Sequence, residues 1–142
     1  MIGRLSLRGQ VAEYRIPTPL SMPLGIAAGS DGAVWFTEFF SRRIARVAPD
    51  GTITEYPLPT PRSIPVSIAA GSDSALWFTE MGNNTIGRIT PTGTITEYPL
   101  PTPKSGPTAI VAGPDGAVWF TEAYSAKIGR IAPGGAVREF GL

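Results

Sequence analysis

Three glutamates, Glu38, Glu80 and Glu122, stand 42 residues apart, each closing the same tetrapeptide Trp-Phe-Thr-Glu. Carboxylates brought together in this way can move a proton or offer oxygen ligands to a hard cation such as Mg²⁺ or Ca²⁺. Crowding would raise some of their pKa values. The same three residues have a structural reading. Each could pair with Arg46, Arg88 or Arg130 of a neighbouring unit, or cap the loop it opens, since a residue repeated identically in every unit commonly serves the scaffold. The chain contains neither His nor Cys. That excludes a Ser-His-Asp triad, a Cys nucleophile, a disulfide framework and a His/Cys zinc site.

The remaining composition narrows the partners. Twelve Lys and Arg against eleven Asp and Glu leave a net charge of +1, so no basic footprint for nucleic acid or an anionic membrane is expected. Apolar runs are too short to span a bilayer, and no signal-type apolar region follows Met1, which points to the cytoplasm.

What must position the glutamates is a repeat. Trp35, Trp77 and Trp119 share the 42-residue step, as do Arg4, Arg46, Arg88 and Arg130, and Glu13, Glu55, Glu97 and Glu139. The chain divides without gaps into residues 17–58, 59–100 and 101–142, preceded by residues 1–16, which match the second half of a unit. Within a unit, residues 24–28, 33–37, 43–47 and 52–56 read as short strands separated by Gly, Asp and Pro turns. The Pro-rich segment beginning at Pro57 reads as a linker. Four strands in a unit of this length predict an all-β fold, a β-propeller of four-stranded blades with about three and a half blades per chain. A β-solenoid would need shorter coils and no Pro-rich crossover in each unit.

Propellers close with roughly four to eight blades, so three leave open edges. The expectation is a ring closed by oligomerisation, a homodimer with six inner strand pairs, and the rival reading is a piece of a longer propeller. A seven-blade count fails, because residues 1–16 supply outer strands without the inner pair that they would cover. That hairpin is expected to compete with another outer hairpin, exchange between chains, or lie outside the ring.

The other repeated charges have simple accounts. Arg46 and Glu55, nine residues apart across a tight hairpin, suggest cross-strand ion pairs, and Asp31, Asp73 and Asp115 suggest turn chemistry. The tryptophans suggest core packing. Positions where the units differ are more informative, since rigid scaffolds carry binding on their loops. The candidate ligand contacts are Phe39, Phe40, Met81, Asn83 and Tyr124 on those loops, with Thr108 on the inner strand. They either face a small peptidic ligand or pack on the next blade.

The elements Pro107 to Ile110, Gly113 to Asp115, Trp119 to Glu122, Ile86 to Ile89 and Ile95 to Pro103 together resemble the blade of the virginiamycin B lyase (streptogramin lyase) family, over the entire chain. The resemblance implies a seven-bladed single-chain propeller that linearises cyclic depsipeptide antibiotics by elimination, using Mg²⁺, a His as acid or base, and nearby glutamates. Mapped onto this chain, the glutamates are Glu38, Glu80 and Glu122, and the His positions, fourteen residues earlier, are Leu24, Val66 and Thr108. None of those three side chains transfers a proton at neutral pH. The expected function is therefore a non-catalytic, self-assembling propeller module without a cofactor. The alternative is a Mg²⁺-dependent carbon–oxygen lyase in which one of the three glutamates works with another proton donor such as Tyr124.

Overall fold

Fourteen strands and no helix make up the chain in a computed structural model that describes all 142 residues. A hairpin of β1 (Ile2–Leu5) and β2 (Val11–Tyr14) comes first. Three four-stranded antiparallel sheets follow. They are β3 (Pro23–Ala28) to β6 (Ile53–Pro57), β7 (Pro65–Ala70) to β10 (Ile95–Pro99), and β11 (Pro107–Ala112) to β14 (Val137–Gly141), each meandering in sequence order. The intermediate strands are β4 (Val34–Glu38), β5 (Arg43–Val47), β8 (Leu76–Glu80), β9 (Thr85–Ile89), β12 (Val118–Glu122) and β13 (Lys127–Ile131). Tight Gly and Asp turns leave no length for a helix, and β-branched and aromatic residues fill the second and third strands. This is the architecture of propeller blades, three whole and one half.

Register repeats with the sequence. Trp35 faces Arg46, Trp77 faces Arg88 and Trp119 faces Arg130 on adjacent strands. Each first strand carries a register irregularity, between Pro23 and Ile26 in the first blade, Pro65 and Ile68 in the second and Pro107 and Ile110 in the third. The inner strands of neighbouring blades come close. A Cβ on Gly25 would lie 2.8 Å from the Val66 carbonyl oxygen, and the Thr37 hydroxyl donates to that same oxygen at 3.0 Å.

The core lies between blades. Trp35 and Ile44 of the first blade pack with Ile68, Leu76, Phe78 and Ile89 of the second. Trp77 and Ile86 repeat the arrangement against Ile110, Val118, Phe120 and Ile131. The leading hairpin follows the same rule: Ile2 packs with Phe36 and Val47 of the first blade. Its Tyr14 ring covers Gly51 at φ +90°, as Tyr56 covers Gly93 and Tyr98 covers Gly135. A Cβ on any of these glycines would overlap the ring. The hairpin thus occupies the place of outer strands on the first blade.

Two sequence expectations are corrected. Pro57 and Pro99 belong to strands, opposite Arg43 and Thr85, because the fourth strand is the outer edge, where a residue lacking N–H costs no ladder bond. Arg46 and Glu55 do not pair across the hairpin. Arg46 faces Thr54 and Glu55 faces Ala45, so the two side chains project from opposite faces. Arg46 instead donates from Nε to Asp31 at 2.7 Å, and its guanidinium lies over the Trp35 ring. Glu55 accepts from the backbone N–H and hydroxyl of Thr18 at 2.9 and 2.8 Å, fixing the crossover that enters its own blade.

Candidate functional site

Each of Glu38, Glu80 and Glu122 ends a second strand and is fully buried. One oxygen of each is bonded within the following loop. Glu38 Oε2 accepts from the Ser41 hydroxyl at 2.5 Å, Glu80 Oε2 from the Asn83 amide at 3.2 Å, and Glu122 Oε2 from the Ser125 hydroxyl at 3.2 Å. The other oxygen, Oε1, has no hydrogen-bond partner in any of the three. These glutamates therefore do cap their loops, while Arg46, Arg88 and Arg130 are committed to Asp31, Asp73 and Asp115.

The sequence reading missed the group that faces each glutamate. Phe78 and Glu97 flank Gly87 on adjacent strands. A Cβ on Gly87 would sit 2.7 Å from Glu80 Oε1, so the glycine makes room for that carboxyl. Glu97 lies beside Glu80, its own Oε1 also unpartnered, with the Thr60 hydroxyl donating to its other oxygen. The available signal was the small third-strand residue, Ala45, Gly87 or Gly129, opposite a glutamate in every blade.

Electrostatics separate the blades. Burial pushes the Glu80 carboxyl up to about 7, and the neighbouring Glu97 adds to the rise against the Ser63 hydroxyl and Asn83 amide. Burial also raises Glu38, aided by Glu55 and opposed by the Ser41 hydroxyl and Arg43. In the third blade, Lys127 Nζ lies 3.1 Å from Glu139. Partial burial would raise Glu139, but the bonds from Thr102 and Lys127 outweigh it and hold the carboxyl low. The residue that begins the third strand, Arg43, Thr85 or Lys127, thus decides whether the carboxyl pair has a cation nearby, and only the second blade has none.

These residues do not fit a shared Mg²⁺ ion. Nowhere do three acidic side chains converge on a point that could hold a metal. Each of the three glutamates sits in its own blade with one oxygen already bonded to a loop side chain. The three glutamates are not brought together, because each is buried in its own blade and bonded to its own loop.

The candidate ligand residues divide. Phe40 and Tyr124 are exposed. Phe39 packs edge-on to Phe40 with centroids 5.2 Å apart, and the Tyr124 hydroxyl reaches Met81 Sδ at 3.7 Å across two blades. Asn83 points inward to Glu80. Thr108 binds the Thr121 hydroxyl at 2.9 Å, and its carbonyl accepts from Thr79 at 2.7 Å. Along the inner strands, Leu24 is exposed while Val66 and Thr108 are half-buried.

Known proteins share this fold. Virginiamycin B lyase from Staphylococcus aureus, solved with selenomethionine, is 51% identical and superposes with a TM-score of 0.97 over 99% of this chain and 48% of its own. A catalytically inactive histidine-to-alanine variant of the Staphylococcus aureus enzyme, solved with quinupristin, is likewise 51% identical, with a TM-score of 0.96 over 99% of this chain and 48% of its own. The virginiamycin B lyase of Saccharopolyspora erythraea is 50% identical over 40 residues, which are 28% of this chain and 13% of that protein. The chain spans about half the length of the solved relatives it matches. The Virginiamycin B lyase family model covers residues 1–142, from first to last, and the chain belongs to that family.

Proposed function

We propose that this chain is a non-catalytic, self-associating propeller module that presents its loop face to a small peptidic ligand. The observation that carries the reading is the absence of a proton-transfer group on the inner strands. Leu24, Val66 and Thr108 stand where the family resemblance places a His, and the chain has no His anywhere. In the Staphylococcus aureus relative, the variant in which a histidine is replaced by alanine is described as catalytically inactive. General acid–base catalysis contributes about 10²- to 10⁴-fold, so a blade set without that group loses most of its rate. Phe40 and Tyr124 supply exposed aromatic surface on the loop side for an apolar ring or depsipeptide.

The lyase reading has one specific support: a carboxyl, Glu80, that titrates near neutrality. Its burial and its position against Gly87 keep it from a ligand at the loops. Incubating the protein with quinupristin and Mg²⁺, and following the linearised product by mass, separates the readings. We expect binding without turnover, with binding weakened by Phe40→Ala and Tyr124→Ala. Turnover abolished by Glu80→Gln or Glu122→Gln would overturn the non-catalytic reading.

A further inference from the structure

Each internal blade junction is a knob in a socket. Trp35 enters a socket formed by Ile68, Leu76 and Ile89 of the next blade, and Trp77 enters one formed by Ile110, Val118 and Ile131. Both tryptophans are buried to within 1%. Trp119, the third knob, is half-exposed at the open face of the last blade, where Val111 and Phe140 are also exposed.

The first blade carries the third socket. Ile26, Val34 and Val47 match Ile68, Leu76 and Ile89 by the 42-residue step. They line a cavity of about 330 Å³ with Ile2 and Tyr14 of the leading hairpin. Ile26 and Val34 are 59% and 37% exposed, so no indole fills it. The hairpin covers only the outer part of this face. It pairs with no other strand, and Leu5 and Val11 are largely exposed. Arg4 has none of the acidic partners that Arg46, Arg88 and Arg130 have.

We propose that a second copy of this chain docks its last blade on this face, inserting Trp119 into the Ile26, Val34 and Val47 socket and displacing the leading hairpin. Ile128 and Phe140 then take the places of Ile2 and Tyr14, which they match by the repeat, with Phe140 over Gly51 as Tyr56 lies over Gly93. Thr121 meets the Leu24 carbonyl as Thr37 meets that of Val66. Each contact of the new junction has a counterpart at both internal junctions, with Phe140 in the place of Tyr56 and Tyr98. What is given up is a two-stranded hairpin, the least stable kind of sheet. What is gained is a full blade-to-blade apolar interface. Two such contacts related by a two-fold axis close a pair of chains. The hairpin acts as a strap that covers the docking face until the partner arrives. This contact rests on the self-association proposed above and specifies its surface.

The internal junctions supply a covalent test in a chain free of cysteine. A Cβ on Gly116 would lie 3.9 Å from Ser72 Cβ, within disulfide range of about 3.5–4.5 Å. One repeat further on, that pair becomes position 114 of one copy and position 32 of the other. Position 32 tolerates a side chain, since its counterpart Ser74 holds φ +65°. Oxidised Gly32→Cys/Pro114→Cys protein is expected to form a dimer whose peptide map links 32 to 114, and Ser72→Cys/Gly116→Cys to close within one chain. In sedimentation of the cysteine-free protein, Trp119→Ala should weaken the dimer at least about tenfold and Tyr14→Ala should tighten it, because loosening the strap frees the face. A dimer without the 32–114 link, and indifferent to Trp119→Ala, overturns this contact while leaving self-association standing. A monomer at high micromolar concentration overturns both.

Discussion

Arg88 Nε lies 2.7 Å from Asp73 Oδ2, joining the third strand of the second blade to the turn between its first two strands. The other oxygen of Asp73 receives the Trp77 indole N–H at 3.1 Å and the backbone N–H of Ala75 at 3.3 Å. The Arg88 guanidinium lies over the Trp77 ring, and the Tyr98 ring stacks with it at 5.6 Å. One carboxylate thereby orients the indole that forms the knob of each blade junction. Partial burial would raise Asp73, but the bonds from Arg88 and Trp77 outweigh it and hold the carboxyl low.

Asp73→Ala should therefore cost about 2 kcal/mol, because it orphans a half-buried guanidinium and an indole N–H together. Asp115→Ala should cost less, since its blade is open on one side and the carboxylate is more exposed. Thermal unfolding of the two variants beside the parent checks the order. Equal losses would mean that the turn, rather than the buried junction, sets the cost.

Much of the fold was legible in the sequence, because period-two patterning and the 42-residue step both act through local geometry. Trp35 and Trp77 as core residues, and Asp31, Asp73 and Asp115 as turn residues, follow from that, whereas Trp119, at the same position of the last blade, is half-exposed rather than core. Spacing alone misled for Arg46 and Glu55. Nine residues across a hairpin put them near each other along the strands, but odd and even positions face opposite sides, and only the register decides which pair meets. The carboxyl pair of Glu80 and Glu97 was hidden for a related reason. It depends on the bare Gly87 between them and on Thr85 in the place of Arg43 and Lys127, a difference that looks like loop variation until the strands are aligned.

The Glu80 carboxyl gives the second blade its own pH dependence. Its folded pKa, about 7, is above the ordinary value of 4.5. Below pH 4.5 both folded and unfolded chains hold the proton. Between 4.5 and 7 only the folded chain does, so stability falls as pH rises, and above 7 the loss is complete. Glu80→Gln should remove this slope and be more stable than the parent at pH 8 by a few kcal/mol. Thr85→Lys should do the same by lowering the carboxyl pKa, as Lys127 does for Glu139. Denaturant titrations across this pH range read both. A constant difference between parent and Glu80→Gln at every pH would refute the buried acid.

Gly87→Ala tests the close contact beneath that carboxyl. The added methyl would approach the Phe78 ring to 2.1 Å and Glu80 Oε1 to 2.7 Å. Blade one already has alanine at this position, Ala45, beside Phe36. There the Phe36 ring packs with Ala45, Val47 and Ile16 beneath the leading hairpin and already accommodates the methyl, whereas Phe78 is packed over a bare glycine against the first blade. The substitution should cost about 1–3 kcal/mol. The reverse change, Ala45→Gly, should cost no more than about 1 kcal/mol from backbone freedom. Unfolding free energies that came out alike would show that the two blades confine their rings equally.

The crossovers should differ in their resistance to trypsin. Thr102 in the crossover 99–107 is held by Glu139, which accepts its backbone N–H at 3.0 Å and its hydroxyl at 2.5 Å. The same crossover is held again by Asn84, whose Nδ2 donates to the Thr102 carbonyl at 2.8 Å and whose Oδ1 accepts from the Ser105 N–H at 2.7 Å. In the crossover 57–65 the residue matching Asn84 is Arg42, and no such second clamp forms. Both crossovers expose a cleavable bond, after Arg62 and after Lys104. Local opening governs cleavage of folded chains, so trypsin should cut after Arg62 several-fold faster than after Lys104. Asn84→Ala should bring the two rates together by speeding the second while leaving the first unchanged. Equal rates in the parent would mean that Glu97 and Glu139 alone hold their crossovers, and that the amide adds nothing to the clamp.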